Sequence, residues 1–160
     1  MQRVSLICVG KLKEKFYIDA SGEYIKRLQR HCKFELIELP EVRLGDNPSR
    51  GEIDKALATE AAAIREKIGS GAAVVAMCVE GKGCDSPALS EKLQQFALSG
   101  KSRVVFLIGG SFGLDESLKK EADWRLSMSS MTFPHHLARV MLLEQIYRAY
   151  QIAEGTAYHK

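Results

Sequence analysis

No stretch of this sequence approaches the ~18 consecutive apolar residues of a membrane-spanning helix, and the opening MQRVSLICVG meets KLKEK before the apolar core of a signal peptide can build. The four cysteines, Cys8, Cys32, Cys78 and Cys84, include no C-x-x-C pair and match no histidine spacing, which argues against zinc and thioredoxin-like chemistry. Three lie in apolar settings (SLICVG, RHCKF, VAMCVEG) and read as small buried hydrophobes of a reducing cytosol. An excess of charge of either sign is also lacking. A net charge of +3 permits an acidic partner but is far from a polybasic nucleic-acid binder. GGSFG fails as a dinucleotide fingerprint because residue 108 is Ile, and no G-x-x-x-x-G-K-[ST] or H-E-x-x-H occurs. These absences predict a cytoplasmic, soluble chain without a metal site, and exclude the commonest dinucleotide, P-loop and zinc-protease signatures.

What is present is apolar material enough for one core. At 160 residues and 46% hydrophobic, the chain has the usual size of a single domain, 1–160, needing no disulfide. Short β-branched runs bounded by Gly or Pro read as strands: VSLICVG (4–10), FELIELP (34–40), AAVVAMCVEG (72–81), RVVFLIGG (103–110) and the weaker RLSMSS (125–130). Amphipathic stretches separate them: KFYIDASGEYIKRLQRH, GEIDKALATEAAAIREKIG, SPALSEKLQQFALSG with Ser86 as N-cap and Pro87 in the first helical position, and LDESLKKEA. The near-continuous apolarity of VVAMC and VVFLI suits strands covered on both faces, so the pattern predicts an α/β fold with a mostly parallel sheet sandwiched by helices.

In such a sheet ligands sit outside the carboxyl ends of the strands. Three loops there carry chemistry: Glu80 to Gly83 after the third strand, Gly109 to Gly113 after the fourth, and LSMSSMTFP after the fifth. One Gly-lined site with few charges is the economical reading, suited to a ligand held by backbone groups, such as an adenosine with an amino-acid tail. The competing reading is that the glycines only allow tight strand-to-helix turns and that Met77, Met128 and Met131 fill the core. The loop PEVRLGDNPSRGE (40–52) is long for a compact domain, and its cations Arg43 and Arg50 make it a second candidate for substrate contact.

FLIGGSFGL (106–114), LSMSSMTFPHHLARVMLLEQIYRA (126–149), the terminal AYHK (157–160) and the opening VGKLKEKF (9–16) together resemble the RlmH family of SPOUT methyltransferases, over essentially the whole chain. The resemblance implies a SPOUT fold with a C-terminal trefoil knot, a rare exception to the rule that chains do not thread loops. It further implies a homodimer that uses S-adenosyl-L-methionine to methylate N3 of a pseudouridine in large-subunit ribosomal RNA, on the assembled ribosome. Carried over by position, the cofactor would be bound by Met77, Gly109 and the knot loop Ser127, Met128, Ser129, Ser130, Met131 and Thr132. The helix LARVMLLEQIYRAYQIA is apolar around most of its circumference, which calls for burial on two sides, one of them against a partner subunit.

Methyl transfer from a sulfonium is an in-line displacement, and an imide nitrogen acceptor must also lose its proton. His135, His136 and Arg139 stand near the knot loop, and Arg139 and His159 are the expected catalytic residues. Tyr158, His159 and Lys160 combine an aromatic with basic groups, as suits a base and its phosphate. The alternatives are that His135 or His136 caps the helix, that Arg139 pairs with a carboxylate, and that Glu144 and Arg148 form an intrahelical pair. Two rival functions stay open: a catalytically silent RNA-binding or ribosome-associated factor, and a small-molecule enzyme of flavodoxin-like architecture.

Overall fold

The computed structural model describes Met1–Lys160. Strands β1 (Arg3–Val9), β2 (Lys33–Leu39), β3 (Ala72–Gly83), β4 (Arg103–Ile108) and β5 (Trp124–Ser127) alternate with helices α1 (Lys15–Leu28), α2 (Arg50–Ile68), α3 (Ser86–Leu98), α4 (Glu116–Glu121) and α5 (His135–Ala153). All strands are parallel, in the order β2-β1-β4-β3-β5. The central strands β1 and β4 are buried along nearly their whole length, without alternation, because helices cover both faces.

The two faces are unequal. Eighteen buried residues form the core under α1, α3 and α5, with Leu6, Val75 and Phe106 of the sheet meeting Leu28, Leu93, Leu142 and Ile146 of the helices. Only nine form the core under α2 and α4, where Ile7, Val105 and Leu107 meet Ala61, Ile64 and Leu118. At ~25 cal/mol per Å² of buried apolar surface, the face that holds α5 supplies the larger share of the hydrophobic stabilisation.

Local chemistry starts the helices where the sequence signals them, with one displacement. Ser49 Oγ accepts from Glu52 N at 3.1 Å to begin α2, and Asp115 Oδ1 accepts from Ser117 N at 2.8 Å to begin α4. The cap of α3 is Asp85, whose Oδ1 accepts from Ala88 N at 2.8 Å, not Ser86 as the sequence suggests. Ser86 is already helical, and its hydroxyl donates to Gln145 Oε1 at 2.6 Å, tying α3 to α5. A carboxylate outcompetes a hydroxyl for the first free N–H groups of the helix, and the hydroxyl is spent on a tertiary contact.

A further departure lies at the third strand. The sequence places Glu80 to Gly83 in a loop after it, but β3 continues to Gly83 through a register jump: both Met77 and Lys82 pair with Leu126 of β5. The intervening residues bulge out of the ladder. Gly81 is what permits this, since a Cβ there would stand 2.9 Å from the carbonyl of Arg125.

Candidate functional site

The bulge in β3, the turn after β4 and the loop after β5 enclose a cavity of about 300 Å³ at the carboxyl ends of these strands. Met77, Cys78, Val79 and Glu80 form one wall. Ile108 to Gly110 and Phe112 to Leu114 form the second, and Ser127 to Ser129, Met131 and Phe133 the third. His135 and Ala138 of α5 close one end. The lining is mainly apolar, and its volume is at the lower end of the range for small-molecule sites.

Glycine is required where the β4 turn folds back on itself. A Cβ on Gly109 would be driven into the backbone of Gly113 and Leu114, and Gly113 itself has φ 79°, the left-handed region. The turn is closed by Gly113 N donating to Gly110 O at 3.0 Å. The loop after β5 is braced by its own hydroxyls: Ser127 Oγ donates to Ser129 O at 2.8 Å, and Ser129 Oγ accepts from Met131 N at 3.0 Å. These serines therefore shape the loop, while the apolar side chains face the cavity. Met128 packs against the main core, whereas Met131 is 71% exposed and stands at the rim.

The charges at the cavity are neutralised pairwise. Lys119 Nζ donates to Glu80 at 2.5 Å and to Glu116 at 3.0 Å. Burial alone would depress the Lys119 ammonium, but these two carboxylates offset it and raise its pKa, while the hydrogen bond from Lys119 lowers that of Glu80. With no free cation cluster, the site is unsuited to a polyphosphate and suited to a largely apolar ligand with a small polar end.

Of the residues expected from sequence, Met77, Gly109, Ser127, Met128, Ser129 and Met131 line this cavity together. Ser130 and Thr132 are exposed and lie outside it. Glu80, Phe112 and Phe133 also line it, from the three loops that the sequence gathered into one site, whereas sequence reading missed Cys78, Val79 and Lys119. The only sequence signal for Cys78 and Val79 was the glycine pair at 81 and 83 ending a long strand pattern.

Arg139 is fully buried. Its Nη1 donates to Glu38 Oε2 at 2.6 Å and its Nη2 to Gly10 O at 3.0 Å, joining α5 to the ends of β1 and β2. It does not line this cavity, and its contact is the carboxylate pairing that the sequence left as its alternative. Cys8 lies close by, its thiol pushed up to about 12 chiefly by burial, which makes it an inert core residue.

The C-terminal tail folds back on α5. The Tyr158 hydroxyl donates to Glu144 Oε1 at 3.1 Å, its ring meets Tyr147 edge-on at 5.0 Å, and the Arg148 guanidinium lies 4.8 Å above it. Glu144 and Arg148 form the intrahelical pair, at 2.5 Å. His159 Nδ1 is 3.2 Å from Arg148, and the residue lines a separate cleft between α3 and α5 that shares only Met77, Ser127 and Met128 with the cavity. Lys160 is exposed. The fold thus does not bring Tyr158, His159 and Lys160 into the cavity of their own subunit.

The segment between β2 and α2 is anchored. Glu41 Oε1 accepts from Ser111 N at 2.7 Å, and Glu60 Oε2 accepts from Val42 N at 2.9 Å. Arg43 lines a polar cleft beside the cavity, while Arg50 pairs with Asp54 at 3.1 Å within α2. No group of three or more histidine, cysteine or acidic side chains is arranged to hold a metal ion, and no helix is long and apolar enough to cross a membrane.

Comparison with known proteins places this geometry. A probable methyltransferase from Bordetella pertussis Tohama I superposes with a TM-score of 0.59, at 15% identity, over 93% of this chain and 95% of that one. A probable methylase family protein from Haemophilus influenzae Rd KW20 gives 0.52 at 10% identity, over 99% of this chain and 70% of that one. At such identities the likeness concerns the fold. In sequence, the ribosomal RNA large subunit methyltransferase H of Streptococcus pyogenes serotype M5 is 46% identical over 99% of both chains. The protein of the same name from Leuconostoc citreum is 44% identical over 98% of this chain and 99% of its own. A family described as "Predicted SPOUT methyltransferase" matches residues 2–159. With its parallel sheet, its cavity at the strand ends and this near-complete match, the chain belongs to the SPOUT methyltransferase family, alongside the ribosomal RNA large subunit methyltransferase H proteins.

Proposed function

We propose that this chain, as one domain over residues 1–160, transfers a methyl group from S-adenosyl-L-methionine to large-subunit ribosomal RNA, at N3 of a pseudouridine, in the cytoplasm. The observation that carries the reading is the apolar, glycine-cradled cavity at the ends of β3, β4 and β5. Two of its three walls come from the blocks 106–114 and 126–149 through which the sequence resembles methyltransferases, and the relatives' name supplies the substrate class. Met77, Gly109 and the loop Ser127 to Thr132 hold the cofactor in this reading, four of the loop residues by lining the cavity and Ser130 and Thr132 by completing the loop. The trefoil threading of the C-terminal segment is part of the same proposal.

The bound cofactor supplies an activated methyl group on a sulfonium. The chain's own contribution is to orient it and exclude water through Phe112, Met128 and Phe133, and to place the acceptor nitrogen in line; positioning of this kind is worth up to about 7 to 11 kcal/mol. Arg139 supports the site by holding α5 against β1 and β2. His159, with Tyr158 and Lys160, contacts RNA in this reading. These residues lie away from the cavity of their own subunit, so they serve a second copy's cavity within a homodimer formed through α5.

Calorimetric titration with S-adenosyl-L-methionine tests the site. The wild-type chain is expected to bind one equivalent per subunit, and Gly109→Ala to lose binding by at least about tenfold, because the turn must open to admit a Cβ. Equal binding by both chains would remove the cavity from consideration.

A further inference from the structure

The cavity has a polar neighbour. At the ends of β1, β2 and β4 lies a cleft lined by Lys11, Lys13, Arg43, Glu38 and Glu41, among others, with only four hydrophobic residues of fifteen. Cations for a phosphate and hydrogen-bonding groups for a base edge fit a nucleotide better than they fit a sulfonium cofactor. Just two side chains line both spaces: Phe112 and His135. In an in-line displacement the acceptor must reach the methyl carbon opposite the sulfur, so a base for its proton belongs on the wall that the two spaces share. Phe112 cannot take a proton.

Resting on the function proposed above, we infer that the polar cleft receives the acceptor nucleotide and that His135 is its general base. The imidazole nitrogen takes the proton from the acceptor N–H. The freed nitrogen pair then forms the N–C bond to the methyl group as the C–S bond breaks. Sulfur keeps that electron pair, leaving a neutral thioether, and the imidazolium returns its proton to solvent.

The other candidates in the cleft are engaged. Glu41 accepts from Ser111 N, and Glu38 accepts from Arg139 and, at 3.3 Å, from Leu12 N. His136 lines the cleft but not the cavity, and Glu14 stands 3.8 Å from it; elsewhere, the rings of His31 and His159 are occupied by Glu154, Gln151 and Arg148. His135 has no such partner and touches the His136 ring, 4.2 Å between centroids. The charged groups around it come from three sides: His136 and Arg139 from α5, Glu41 from the segment after β2, and Lys11 and Lys13 from the segment after β1. Burial, then His136 and Arg139, lower its pKa below the ordinary value of 6.5, outweighing Glu41, so the ring is neutral near pH 7 and free to accept a proton.

The test is single-turnover methyl transfer to ribosomal particles by the full chain and by His135→Asn and His135→Gln, from about pH 5.5 to 9, with cofactor affinity measured alongside. The expected result is a rate loss of about 10²- to 10⁴-fold with cofactor affinity within about threefold. The wild-type rate should fall as pH drops through the histidine pKa, and this acid limb should vanish in both variants. Variants within tenfold of wild type that keep the acid limb would overturn the inference, as would a rate loss fully accounted for by lost cofactor binding. A wild-type chain that binds no cofactor would instead overturn the parent reading, and the assignment of His135 with it.

Discussion

At the scale of single residues, the chain separates groups that hold the fold from groups left free to react. Arg139 is the largest fully buried side chain, and its charge is balanced by a glutamate that keeps some contact with solvent. Removing the guanidinium strands Glu38 and frees Gly10 O, and breaking a buried pair in this way costs roughly 3 to 5 kcal/mol. Arg139→Ala is therefore expected to lose about 3 kcal/mol in urea unfolding, with activity falling in proportion to folded protein; a stable but inactive variant would assign Arg139 to the chemistry instead. Sequence could show that Arg139 stands one turn from His135 but not which of them faces a cavity. The side on which a helical residue lies is fixed by the strands it packs on, and here the ends of β1 and β2 meet Arg139 while the loop after β5 shares a cavity with His135.

Among the elements, α5 carries the most consequences. Leu142, Leu143, Ile146 and Ala149 are buried against its own subunit, between α1 and α3. A second stripe, Leu137, Val140, Met141, Glu144 and Arg148, remains half-buried, at the i, i+3, i+4 and i+7 spacing of one helical face. Such a stripe suits a partner helix. Val140→Glu with Met141→Glu is expected to give a monomer by analytical ultracentrifugation while the helical circular-dichroism signal is kept; an unchanged sedimentation coefficient would move the interface elsewhere. Truncation after Gly155 separates the roles of helix and tail, because it removes Tyr158 from Glu144 and Tyr147 but leaves the cavity lining intact. Cofactor binding should survive and RNA methylation disappear, whereas loss of both would make the tail structural. Strands and long helices were legible because short β-branched apolar runs bounded by Gly or Pro alternate with longer amphipathic stretches. The bulge in β3 was not, since a register jump against β5 leaves no mark on local periodicity, and the cap at Asp85 depended on which of two adjacent polar residues Gln145 would engage.

For the molecule as a whole, the parallel sheet explains where everything sits. Every strand ends on the same side, so the loops after β1, β2, β4 and β5, with the bulge in β3, gather the apolar cavity and the polar cleft side by side. The sequence carried the class of fold and, as named site residues, a third of the lining; the cleft, formed by residues more than a hundred positions apart, such as Lys11 and His135, depended on strand order. A net charge of +3 leaves few phosphates to neutralise, and each neutralised phosphate contributes salt-dependent affinity. Naked RNA should therefore be a poor substrate and a preformed ribosomal surface a good one. The most direct measurement is transfer of labelled methyl from S-adenosyl-L-methionine by the purified protein to assembled ribosomes, separated subunits and protein-free ribosomal RNA. The account predicts label in large-subunit RNA, on a pseudouridine, with assembled particles and little or none with free RNA. Cofactor binding without label in any particle, or equal labelling of protein-free RNA, would contradict it.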